Sequence, residues 1–243
     1  MSRSTERSSR RWGRVGAFAR AHAKTSALLT AAITLLLVLV GEFTAAAGAG
    51  ATCNFTYPGC AGQLSPIGLT IPQFVEWFHR FLAMLVGFVI LGNAGLLWAA
   101  YGRSRIAGAG LLAALLLPFQ VILGGVTVTF ATLFPDGYTP AVQLAHLATA
   151  LALFLALIAA IVWIDEREGR GGTNGRLYML GLVGLGLTGL EAVAAPGLVF
   201  VFWPSVQTAH HFFAHLAVAS SLVAILWSRS IGLVDGGIAG TLG

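Results

Sequence analysis

The chain has 243 residues, of which 57% are hydrophobic and only 9% charged, with a formal charge of +5. An ordinary soluble domain is about 25% charged, so the apolar excess needs lipid to cover it and a soluble fold is excluded. Of the 14 Lys and Arg, seven precede residue 25 and most others fall in two short loops, a distribution that sets membrane orientation and argues against a nucleic-acid surface.

Residues 1–25 hold Arg3, Arg7, Arg10, Arg11, Arg14, Arg20 and Lys24 and read as a basic cytoplasmic tail, with His22 solvated within it. Six apolar runs follow, at 26–47, 73–101, 107–133, 139–164, 176–198 and 203–228. Each reaches the ~20 residues that span a bilayer as a helix. The expected class is therefore all-α, a polytopic bundle of six transmembrane helices, closed by a tail over 230–243. The first run, ending in Thr44-Ala45-Ala46-Ala47-Gly48-Ala49, also fits a cleavable leader, the weaker of the two readings.

Loop charge fixes the orientation. Arg103 and Arg105 join runs two and three, Arg167, Arg170 and Arg176 join runs four and five, and Arg229 follows run six, whereas 48–72, 134–139 and 199–202 contain no Lys or Arg. The positive-inside rule places both termini in the cytoplasm and the chain in the cell membrane.

The runs pair into hairpins that repeat. A shift of 64 residues lays Pro140, Gln143, Ala145 and His146 on Pro204, Gln207, Ala209 and His210, and Leu123 and Gly125 on Leu187 and Gly189. Runs one and two form a looser third copy, in which Pro72 precedes His79. At 1.5 Å per residue, His79, His146 and His210 all lie about 10 Å along their helices from the starting proline. Gly41, Gly124, Gly125 and Gly189, on the odd-numbered runs, permit close approach of a neighbouring helix or a flat ligand.

The segment Glu76-Trp77-Phe78-His79-Arg80 sets a carboxylate, an imidazole and a guanidinium on one helical face. Ionisable groups inside a span are functional candidates by default. Neutral imidazoles at one depth, without an accompanying set of Cys, Asp or Glu, suit haem iron better than zinc, since histidines on facing helices can grip the iron from both sides. His211 and His215 read as packing groups or as groups supporting the ligands, and Glu191, opposite Thr127 in the repeat, as a proton-handling or supporting group. Cys53 and Cys60, the two cysteines, share the long outer loop. A disulfide that staples the loop and a redox-active thiol pair both remain open readings.

In this order, the Gly41-to-Gly50 helix exit, the Cys53 and Cys60 pair, Glu76-x-x-His79-Arg80, Gly124-Gly-Val-Thr127 and Gln143-Leu-Ala-His146 resemble the haem A synthase family over about residues 41–165. The resemblance implies a haem-binding four-helix bundle over 26–165, with an additional hairpin at 175–229. It implies oxidation of the C8 methyl of haem O to the formyl of haem A for terminal oxidase assembly. His79 and His146 would ligate the substrate haem, Arg80 would help to hold it, Glu76 would act in catalysis, and Cys53 and Cys60 would serve haem transfer or loop structure. A haem b in the second half would be the redox cofactor.

Long members of that family have eight helices and two histidines in the second half, whereas this chain offers His210, with His211 beside it. Three explanations stand: one strong ligand, a second subunit in a homo-oligomer, or loss of that site. Expected partners are membrane lipid, haem O, haem O synthase and a terminal oxidase. Two other functions use the same residues: a non-catalytic haem-binding electron carrier or delivery protein, and a thiol-disulfide oxidoreductase, against which the wide Cys53–Cys60 spacing argues.

Overall fold

A computed structural model describes residues 3–53, 56, 59–133 and 140–168, together with the helical residues Ala214, Leu216, Ala219 and Ser220. Four helices account for most of this: α1 (Arg3–Ala46), α2 (Ile71–Tyr101), α3 (Arg105–Leu133) and α4 (Pro140–Arg167). Each contains a stretch long and apolar enough to cross a membrane, namely Gly13–Ala46, Ile71–Tyr101, Arg105–Val128 and Ala145–Arg167. The chain is an all-helical membrane protein through these segments. The expected fifth and sixth spans fall almost wholly outside the described residues.

The elements follow from local chemistry. Pro72, in the first turn of α2, costs no helical hydrogen bond there, and the Thr70 N–H is taken up by Gln73 Oε1 at 3.0 Å. At the other end Gly102 turns the chain with φ 55° and returns its N–H to the Trp98 carbonyl. That tight turn makes α2 and α3 antiparallel neighbours.

Helix α1 starts well before the apolar run, because the basic segment itself carries an alanine stripe. Ala19, Ala23 and Ala27, spaced by four, are all buried and pack against Leu97, Ala100, Ile106 and Ile164. Small residues let helices approach closely in lipid, where no hydrophobic drive brings them together. A second layer nearer the outer side comprises Ala31, Val86, Ile90, Ala113, Leu153 and Leu157, and Ala219 joins it. The outward surface is apolar, with Phe88, Leu115 and Val121 more than 60% exposed, as a lipid-facing surface should be.

Helix pairs α1 with α2, α2 with α3, α3 with α4 and α1 with α4 pack closely, whereas no Cα of α2 comes within 8 Å of one of α4. The four helices thus form a square in which α2 and α4 stand on one diagonal. The end of the bundle nearest the basic segment is tied by charge: Lys24 Nζ lies 2.5 Å from Asp165 Oδ1, and Arg105 pairs with Glu166. Arg105 also lies over the Trp163 ring and Arg167 over Tyr101. The charged residues expected at the inner loops therefore sit together at one end, and Lys24 and Arg20, expected in a free tail, instead bond to α4 and to the Ala100 carbonyl.

Candidate functional site

The opposite end of the bundle, beneath the α1–α2 loop, is built on the diagonal. His79 stands on α2 and His146 on α4, the two helices of the diagonal. In each ring Nδ1 is buried and has no hydrogen-bond partner. A buried polar nitrogen without a partner costs free energy, so each imidazole keeps a ring nitrogen that no described protein group satisfies.

The glycines noted for close approach have a definite role here. A Cβ added to Gly41 would meet His79 Cε1 at 2.8 Å, and one added to Gly124 would meet His146 Cε1 at 3.4 Å. Each imidazole is seated against bare backbone of the preceding helix, α1 behind His79 and α3 behind His146. Gln120 braces the second seat by donating from Nε2 to the His146 carbonyl at 2.9 Å. A Cβ added to Gly125 would meet nothing within 4 Å.

One turn above His79, Glu76 is buried at 2% exposure and both its oxygens are engaged. Oε1 accepts from Arg80, and Oε2 accepts the Cys53 N–H at 2.7 Å and the Thr52 hydroxyl at 3.2 Å. Arg80 Nη1 in turn donates to the carbonyls of Thr56 at 2.6 Å and Gly59 at 3.2 Å. The Glu76–Arg80 pair therefore clamps the outer loop onto α2. Cys53 and Cys60 are disulfide-bonded, with Cα atoms 4.5 Å apart, and both are fully buried. Past Cys60 the loop reverses through paired Cys60 and Gln63 backbone bonds; Gly59 is required because a Cβ would lie 2.2 Å from the Gln63 carbonyl oxygen. Trp77 Nε1 pins the far side by donating to the Leu64 carbonyl at 2.9 Å.

The structure thus brings together Cys53, Cys60, Glu76, His79, Arg80 and His146 at one end. His22 lies apart on the exposed inner part of α1, where its Nδ1 is 2.9 Å from the Phe18 carbonyl oxygen. His210, His211, His215 and Glu191 lie outside the described residues. Sequence reasoning missed Thr52 and Gln120. Their signal is faint, because each engages backbone or a side chain distant in sequence. The Glu42 carboxylate oxygens, near the same end of α1 as Gly41, are also buried.

The family model described as "cytochrome oxidase assembly protein" matches residues 24–196, more than half of the chain. The chain belongs to this family. A heme A synthase from Alkalihalophilus pseudofirmus is 28% identical over 60% of this chain and 48% of its own length. A protoheme IX farnesyltransferase from Halobacterium salinarum is 32% identical over 55% of the chain and 28% of its own length. One from Thermus thermophilus is 29% identical over 82% of the chain and 35% of its own length. The chain thus spans half or less of each of these relatives. No solved structure matches. The expected resemblance to the haem A synthases holds at the level of family.

Proposed function

We propose that this membrane protein is a haem A synthase-like oxidoreductase that binds haem O between α2 and α4 and oxidises its C8 methyl to the formyl of haem A. The observation that carries the reading is the diagonal pair of imidazoles, each with an unpartnered Nδ1 and each seated on a glycine. His79 and His146 hold the substrate, and a flat macrocycle lies between these two diagonal helices. Haem chemistry supplies the oxidation. The chain's own residues bind, orient and seal: Gly41 and Gly124 set the imidazole positions, and the clamped disulfide loop caps the outer end against bulk water.

Glu76 and Arg80 complete the proposed site, Glu76 as the acid-base group and Arg80 as its charge partner near the haem edge. A third hairpin over 175–229 would bring His210, supported by His211, His215 and Glu191, to a haem b that takes the electrons, with a homo-oligomer as one source of a second ligand. Both termini, 1–25 and 230–243, lie on the cytoplasmic face of the cell membrane in this reading. Relatives named for farnesyl transfer to protoheme, and others named heme A synthase, support haem O synthase and a terminal oxidase as partners.

A specific observation favours a second reading. Both Glu76 oxygens are committed to Arg80, Thr52 and Cys53, which suits a haem-binding carrier or delivery protein that needs no acid-base group. Expression with a haem O supply, followed by extraction and mass measurement of the bound haem, separates the two. Haem A or its hydroxylated precursor supports the enzyme; unaltered haem O alone supports the carrier. A thiol-disulfide oxidoreductase is weaker still, since the cysteines are buried.

A further inference from the structure

Toward its Lys24 end, the α1–α2 interface carries polar groups that the haem site does not use. Asn93 on α2 is 2% exposed and accepts from the Ser26 hydroxyl of α1 at 2.9 Å. On α1, Thr30 and Thr34 follow Ser26 at steps of four and are 0% and 3% exposed. The Thr30 hydroxyl donates to the Ser26 carbonyl at 2.7 Å. Asn93 Nδ2 and Thr34 Oγ1 are buried and have no partner. Rotating the Asn93 amide does not help, because it only exchanges which of its two polar atoms bonds Ser26. A Ser–Asn bond serving packing alone would not require these further buried groups, and a polar group left unsatisfied in a bilayer is costly.

We propose that this interface is a binding site for a short file of internal water in the core of the membrane bundle. Steps of four residues separate Ser26, Thr30 and Thr34 by about 6 Å of helix rise each. That is the span of one water making two hydrogen bonds of about 2.8 Å. The file runs from Asn93 Nδ2 past the Thr30 hydroxyl, which still has acceptor capacity, to Thr34 Oγ1. Buried waters of this kind satisfy polar groups that protein atoms leave unpaired. Ser26, beside its first member Asn93, is two residues from Lys24 of the Lys24–Asp165 pair, and from Thr34 α1 continues toward Gly41, the seat of His79. The site is independent of the haem reading.

The test is water-to-protein polarisation transfer by solid-state NMR on the full chain in lipid bilayers, with asparagine labelled by ¹⁵N at the side-chain amide and the Asn93 signal assigned by its loss in Asn93→Ala. The expected result is strong transfer to the Asn93 amide that falls at least about twofold in Thr34→Val and in Thr30→Val, which remove a hydroxyl while keeping side-chain shape. The Thr variants should keep the wild-type thermal transition within a few degrees, so loss of transfer reports water and not unfolding. A dry Asn93 amide in the wild type, or transfer unchanged in both variants, overturns the proposal.

Discussion

Gly41 and His79 make the sharpest residue-scale statement about the site. A methyl group at position 41 would enter at 2.8 Å from His79 Cε1, and overpacking of this kind costs about 1–3 kcal/mol. Gly41→Ala should therefore weaken haem retention roughly tenfold, since about 1.4 kcal/mol is a factor of ten, read as a reduced Soret band in protein purified after haem supplementation. Gly124→Ala, at 3.4 Å from His146, should do less. Equal and full retention in both variants would mean that the glycines do not seat the ligands. Glu76 offers a different test. Replacing it by Ala strands the Arg80 guanidinium under the loop, and breaking a buried pair costs about 3–5 kcal/mol. Glu76→Ala should lower the thermal transition by many degrees, whereas Glu76→Gln, which can still accept from the Cys53 N–H, should lower it less. These residues were unevenly legible in the sequence. Histidine and glutamate stand out in apolar runs because lipid penalises them, so their importance could be read directly. The partners of Glu76 could not, because a backbone N–H is present at every residue and leaves no mark of which one is used.

At the scale of elements, helix existence was legible and helix limits partly so. The second to fourth apolar runs coincide with α2, α3 and α4 to within a few residues, since span length is dictated by the bilayer. Helix α1 differs: it begins at Arg3, and its inner turns join the bundle through Ala19, Ala23 and Ala27. Basic residues masked that stripe, which has the four-residue period of a packing face. The outer loop is the other element with a testable role. The disulfide closes a short loop, and its removal should cost about 2–3 kcal/mol by loop entropy. Because Arg80 and Glu76 hold that loop by its backbone, the helices should survive reduction. Limited proteolysis should show faster cleavage between residues 47 and 70 in Cys53→Ser with the four helices still protected. Equal cleavage in the presence and absence of the disulfide would contradict a stapling role.

For the whole molecule, the square arrangement matters most. The backbones of α2 and α4 stand further apart than those of neighbouring helices, and the proposed function places a flat, apolar ligand with a metal centre between them, held by one imidazole from each side. The hairpin repeat in the sequence already implied two such histidines at one depth, because equal spacing from the starting prolines gives equal height. It could not show that they sit on a diagonal, since helix order around a bundle depends on which faces pack. The most direct test is absorption and low-temperature EPR spectroscopy of the haem-loaded full chain, compared with His79→Ala and His146→Ala. A low-spin signal of two imidazole ligands in the wild type, lost in both single variants, is the predicted result. The same low-spin signal persisting in both variants would contradict the account.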